Sequence, residues 1–156
     1  MAETILVVGV GNPLVRDEGV GIRALERLGS RRLPTSVRLI DAGTDLLAVL
    51  PQLAEADRVI LIDAVRAGGE PGSIYRLTRE DLLAKAKTEP EWRSAHDLSV
   101  VAALRLAEST GLRLPPMVVF GVEPAEVALG EALTPAVEAA LEPLVEKVLA
   151  EVNACR

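Results

Sequence analysis

Four apolar, strand-like runs in this chain are each followed by a carboxylate. Ile5-Leu6-Val7-Val8 leads into Gly9-Val10-Gly11-Asn12-Pro13 and then Asp17 and Glu18. The run from Ser36 to Ile40 ends at Asp41, Arg58 to Ile62 ends at Asp63, and Met117 to Phe120 ends at Gly121-Val122-Glu123-Pro124. In open parallel sheets, ligands bind beyond the carboxyl ends of the strands, where the winding reverses. The spacing therefore delivers an acidic set to one rim. The single histidine, His96, stands just before a long helical pattern that leads into the last strand, so it belongs to the same rim. Converged, Glu18, Asp63 and His96 would offer two oxygen ligands and one nitrogen with positions left open. That set suits a divalent ion of the first transition row, nickel or zinc among them. Taken singly, each residue has a plainer reading. Asp63 can form a turn, Glu18 can favour a helix dipole, Asp41 and Thr44 can be turn and cap, and Ser94 and Asp97 can cap a helix around His96.

The elements that would position these residues alternate between strand and helix. Runs buried on both faces suit central parallel strands. Helices are expected over Glu18–Leu28, over Asp45–Ala54 with an interruption at Pro51, and over Asp97–Ser109 closed by Gly111. The stretch from Thr78 to Arg93 is polar and weakly patterned, and is expected to hold a short helix and a loop. Thr134 is expected to cap a C-terminal helix opened by Pro135, with Pro143 kinking or splitting it. Ser73–Leu77 alternates like a strand with one wet face. It follows a glycine-rich turn too short for a crossover, so it is expected to be antiparallel and at an edge. The pattern predicts a single α/β domain over residues 1–156 with a mainly parallel sheet.

Composition narrows the function. With 156 residues, 49% apolar and 26% charged, the chain is globular. Lys+Arg 17 against Asp+Glu 23 gives a net charge of −6, and there is one Trp, one Tyr and one Phe. Both features argue against a nucleic-acid partner, which needs a basic field or stacking rings. One cysteine, Cys155, excludes an internal disulfide framework and a multi-cysteine metal site. No apolar run approaches the ~18 residues of a membrane span. The acidic start, Met1-Ala2-Glu3-Thr4, runs straight into a strand, so no signal peptide is expected and the expected compartment is the cytoplasm. Gly9-Val10-Gly11-Asn12-Pro13-Leu14 carries only the first two glycines of a dinucleotide fingerprint, and neither a P-loop nor a Gly-x-Ser-x-Gly elbow is present.

The ordered motifs resemble those of the hydrogenase maturation proteases, endopeptidases that trim the C-terminal tail of the large subunit of nickel–iron hydrogenases. The resemblance begins with Gly9-Val10-Gly11-Asn12-Pro13-Leu14-Val15-Arg16-Asp17-Glu18-Gly19-Val20-Gly21. It continues through Asp41-Ala42-Gly43-Thr44, Ile62-Asp63-Ala64, Ser94-Ala95-His96-Asp97-Leu98 and Gly121-Val122-Glu123-Pro124, and closes with Leu133-Thr134-Pro135-Ala136-Val137-Glu138. Ala42 stands where the family often has glycine, and its methyl group disfavours a positive φ there.

The resemblance implies a three-layer sandwich with a five-stranded mixed sheet, order 2-1-3-5-4, strand four antiparallel. It implies that Glu18, Asp63 and His96 bind metal. The expected activity is removal of the C-terminal extension of a large-subunit precursor after nickel insertion, with the substrate's own nickel as the recognition element and zinc or cadmium as surrogates. Cleavage would proceed through a metal-polarised water with a carboxylate base, or by direct acid–base work of Asp17, Asp41 or Asp63. The expected partner is that precursor, and the protein is expected to be a monomer or weak homodimer. Two other readings stand beside it: a non-cleaving metal-dependent checkpoint or chaperone that uses the same trio, and a small-molecule hydrolase or nucleotide-binding enzyme on the same sheet, with a nucleotide held at the Gly9–Leu14 loop.

Overall fold

The computed structural model describes residues 3–88 and 95–154, with side chains for all of these except 86–88 and 95–99. Five strands form one sheet: β1 (Ile5–Gly9), β2 (Val37–Asp41), β3 (Arg58–Ala64), β4 (Ile74–Thr78) and β5 (Met117–Val122). Their order is β2-β1-β3-β5-β4, with only the β4–β5 pair antiparallel. The sequence expectation is met, including the edge position of the half-wet strand β4. β1 and nearly all of β3 are buried, as their unbroken aliphatic runs require of central strands covered on both faces.

Helices α1 (Val20–Gly29) and α5 (Pro135–Ala154) cover one face. Val20, Ala24, Leu25 and Leu28 of α1 and Val137, Leu141, Leu144 and Val148 of α5 meet Ile5, Val7, Ile60, Ile62 and Phe120 there. The other face carries α2 (Leu50–Glu55), α3 (Arg79–Thr88) and α4 (Ala95–Thr110), with Leu53, Leu82, Val101 and Leu104 packed on Leu6, Val8, Leu61 and Val119. The alternation of each strand thus feeds two separate apolar layers.

Several boundaries differ from the sequence expectation for local physical reasons. Arg16–Gly19, including Glu18, forms a tight 3-10 turn before α1 begins at Val20. A second such turn, Leu46–Val49, precedes α2, and Pro51 lies in the first turn of α2, where its missing N–H costs nothing. The cap of that turn is Asp45, whose side chain accepts the Leu47 N–H, and not Thr44. The polar stretch after β4 is a ten-residue helix, α3, started by a reciprocal box. Thr78 N–H donates to Asp81 Oδ2 at 3.1 Å and Asp81 N–H to Thr78 Oγ1 at 3.1 Å. α4 begins at Ala95, two residues before the expected Asp97; the suggested cap, Ser94, lies outside the described residues. Pro143 does not split the last helix, because the buried stripe runs from Val137 through Val152 on both sides of it.

Candidate active site

The parallel register sets the carboxyl ends of four strands at one level. Gly9 pairs Asp41 on one side and Ile62 on the other, and Asp63 pairs Gly121. The chain leaves β1 toward β2 and enters β3 on the opposite side, so the reversal of winding falls between β1 and β3. Among the described residues, the buried charged side chains are Asp17, Glu18, Asp63 and Glu123. All four sit at this rim. A buried carboxylate is costly unless charge or hydrogen bonds match it, so each one must have an account.

Glu18 is 8% exposed and reaches its place through two glycines. Gly11 has φ 145°, and a side chain there would run into the Glu18 carbonyl oxygen. Gly21 lies so close to the Ile62 carbonyl that a methyl group would not fit. The 3-10 turn therefore folds flat onto the ends of β1 and β3 and carries Glu18 with it. Val10 N–H donates to Ile62 O at 2.9 Å, locking the first loop to β3.

Asp63 is 2% exposed. Its Oδ1 accepts the Ala64 N–H at 2.8 Å. Two residues after Leu61 on β3, it shares that side chain's face and so points to the layer that holds α3 and α4. It borders a small apolar cavity there, lined by Val10, Leu82, Val100 and Val119. α4 begins at Ala95, five residues before Val100, which lines the same cavity as Asp63. α4 thus starts at this rim, as the sequence suggests. The His96 side chain itself is outside the described residues. Among those described, no group of three His, Cys, Asp or Glu side chains could hold a metal. The described part of the expected ligand set is two oxygen donors, Glu18 on the 3-10 turn after β1 and Asp63 at the end of the neighbouring β3.

Asp17 is placed differently from a catalytic acid or base. It is fully buried, and its two oxygens are occupied. Oδ2 accepts Ala125 N–H (2.8 Å), Glu126 N–H (3.0 Å) and Thr134 Oγ1–H (2.7 Å), and Oδ1 accepts Thr134 N–H (2.8 Å). Burial pushes its pKa up, but these hydrogen bonds outweigh that and hold it below the usual aspartate value. Asp17 is thus a clamp that binds the 125–134 loop to the turn carrying Glu18. The same contacts correct the expected cap at Thr134. Its carbonyl accepts the first helical bond, from Glu138 N–H, but its hydroxyl donates to Asp17.

Asp41 is exposed at the end of β2, and its Oδ1 accepts the Gly43 N–H at 2.7 Å. Gly43 has φ 59°, and its carbonyl oxygen accepts the Gly11 N–H at 2.7 Å. Ala42 takes no positive φ, so its methyl group is accommodated. Glu123, 5% exposed, builds a different wall. Its Oε1 accepts Ala67 N–H (2.8 Å), Gly69 N–H (3.1 Å) and Tyr75 Oη–H (2.7 Å), which ties down the loop after β3. Burial, with the Glu123 hydrogen bond and charge, pushes the Tyr75 phenol up to about 12.

Sequence reasoning missed Arg16. It is the one non-glycine among the described residues with positive φ, at 42°. Its N–H donates to Gly130 O at 2.8 Å, its Nε to Ala132 O at 3.2 Å, and its guanidinium pairs with Glu126 at 2.8 Å. Nothing in its residue type signals that conformation.

The fold and rim together define a doubly wound α/β protein with a crevice walled by buried acids. A sequence profile described as hydrogenase maturation protease matches residues 22–151, and the chain belongs to that family. It is 36% identical over 148 residues to the hydrogenase 2 maturation protease of Escherichia coli K12, covering 94% of this chain and 88% of that one. It is 34% identical over 154 residues to the hydrogenase expression/formation protein HupD of Rhodobacter capsulatus, covering 97% and 72%. The solved structure of the hydrogenase maturating endopeptidase HybD from E. coli superposes with a TM-score of 0.86 at 35% identity, covering 97% of this chain and 93% of that one. The [NiFe] hydrogenase maturation protease HybD from Thermococcus kodakarensis superposes at 0.80 with 26% identity, covering 96% and 99%. The chain is a peptidase of this family, and no helix among its described residues is long and apolar enough to cross a membrane.

Proposed function

We propose that this endopeptidase removes the C-terminal extension of a nickel–iron hydrogenase large-subunit precursor after nickel insertion, and that the substrate's nickel is what the crevice recognises. The observation that carries this reading is the placement of two buried carboxylates at one rim, Glu18 on the 3-10 turn that follows β1 and Asp63 at the end of the adjacent β3. Carboxylate oxygens with the imidazole of His96 make a donor set that accepts nickel, with zinc or cadmium as surrogates. A metal delivered by the substrate would bind in the low-dielectric rim and bring the scissile bond with it.

The chain's own residues then have distinct tasks. Glu18, Asp63 and His96 complete the nickel shell. Asp41, exposed beside the crevice, positions the peptide or moves a proton during cleavage, and Asp63 can act as base toward an attacking water. Asp17 takes no such part, because its lone pairs are committed to the 125–134 loop. The protein works as a monomer or weak homodimer in the cytoplasm. The test is incubation with precursor in nickel-loaded and nickel-free forms, read by mass spectrometry. Loss of the C-terminal extension only from the loaded form is expected; equal trimming of both forms refutes nickel recognition.

A further inference from the structure

The outer side of β2 is an open edge of the sheet, and it leads to the crevice. Ser36 O accepts Ile5 N–H at 3.0 Å and Ala42 N–H donates to Gly9 O at 3.0 Å, at either end of a regular parallel ladder. In such a ladder alternate residues turn their backbone groups to the neighbour, so Arg38 and Ile40 bond to β1 while Val37, Leu39 and Asp41 turn theirs outward. Val37 N–H is taken by Pro34 O at 3.0 Å. The Leu39 and Asp41 N–H groups and their carbonyls have no protein partner among the described residues.

Exposed edges are a hazard that folds commonly blunt with proline, bulges or covering contacts. The other edge of this sheet, β4, is treated in that way. Thr78 N–H at its end is taken by Asp81 Oδ2 at 3.1 Å, and Arg76 is paired with Glu151 of α5 at 2.7 Å. β2 holds no proline and no bulge. It also runs straight into the rim. Asp41 ends it, and Gly43 O accepts the Gly11 N–H at 2.7 Å from the loop that leads to Glu18.

We propose that the outer edge of β2 is the main-chain docking strand for the substrate polypeptide, which adds beside Leu39 and Asp41 as a further strand and so enters the crevice extended. This rests on the substrate reading given above. The chain belongs to a peptidase family, so its partner is a polypeptide. A scissile bond is reached only in a segment pulled clear of its own fold, and such a segment has N–H and C=O groups to pair. Extended peptides dock on open sheet edges through these groups. Backbone hydrogen bonds carry little sequence information, which suits a site whose selectivity comes from the substrate's metal.

The test compares Leu39→Pro with Leu39→Ala in trimming a nickel-loaded large-subunit precursor. Both lose the half-buried leucine side chain, but only proline removes the outward N–H, at an edge position where a fold tolerates it. The proline variant should show a KM about fivefold above the alanine variant at equal kcat, the worth of one hydrogen bond. Equal KM values overturn the proposal. Hydrogen exchange of the wild type decides independently, including where the proline variant fails to fold. In the free protein the Leu39 and Asp41 amides should exchange fast and those of Arg38 and Ile40 slowly. Saturating precursor should slow Leu39 and Asp41 at least tenfold. Trimming that proceeds while these two amides stay as open as in the free protein overturns the proposal and leaves the substrate reading intact. Protection that rises with enzyme concentration and not with precursor also overturns it, and assigns the edge to self-pairing. A wild type that neither binds nor trims the precursor overturns both.

Discussion

Replacing Asp17 by Asn separates a clamp from a catalyst. Asn keeps the shape and one carbonyl oxygen. Placed at Oδ2, that oxygen still accepts from Ala125 N–H, Glu126 N–H and the Thr134 hydroxyl. The amide NH2 then falls at Oδ1, facing the Thr134 N–H that now donates at 2.8 Å. Two donors oppose each other, and a buried N–H loses its acceptor, at a cost of about 1–3 kcal/mol. The three surviving bonds lose the charge assistance that makes them roughly twice as strong as neutral ones. Together the loss is about 3–5 kcal/mol, a large share of the ~5–15 kcal/mol that holds a domain folded. For this chain length it lowers Tm by roughly 10 °C.

Urea unfolding at neutral pH measures the loss, and amide exchange locates it. Protection should fall first across residues 125–134. The acid limb gives a second reading. The folded pKa of Asp17 is depressed, so its contribution is complete above the unfolded aspartate value of about 3.9 and is lost as pH falls through the lower folded value. The Asn variant should lack that part of the acid dependence. A variant with unchanged stability and abolished cleavage would refute the clamp and restore Asp17 as a reacting group.

Other outcomes follow from the same structure. Gly11→Ala meets the Glu18 carbonyl at φ 145° and should cost about 2–4 kcal/mol, with a loss of metal binding larger than its loss of stability predicts. Tyr75→Phe removes one donor from the buried Glu123 carboxylate and should cost about 1.5–3 kcal/mol by denaturant titration. Tyr75 is the sole tyrosine, so phenolate absorbance reads it alone, with a midpoint near 12. Because that pKa is raised on folding, its contribution is present below the unfolded value of about 10 and is lost as pH rises through about 12. Arg27 and Arg31 of α1 pair with Glu138, Glu142 and Glu146 of α5 on the surface, so Glu142→Ala should cost only ~1 kcal/mol and less at high salt.

The sheet was readable because its signals are local: unbroken aliphatic runs for the central strands, and a half-wet run after a short glycine turn for the antiparallel edge. The position of acids at strand ends followed from the same pattern. What each acid does there was not readable. Asp17 and Glu18 are neighbours of the same charge, yet one turns into the 125–134 loop and the other stays at the crevice. That division depends on Ala125, Glu126 and Thr134, more than a hundred residues away, and no local pattern announces them. Arg16 in a left-handed conformation depends on the same distant loop. Pro143 misleads for a related reason, since a long buried stripe outweighs the hydrogen bond that proline removes.

The central claim is that Glu18 belongs to a site that reads the substrate's metal. Its most direct test is C-terminal mass loss of a nickel-loaded precursor with wild type, Glu18→Gln and His96→Ala, beside nickel or zinc titration and a thermal melt of each protein. The account predicts unchanged melting, weakened metal binding in both variants, and trimming reduced at least a hundredfold. Equal metal affinity and equal trimming in all three proteins would contradict it.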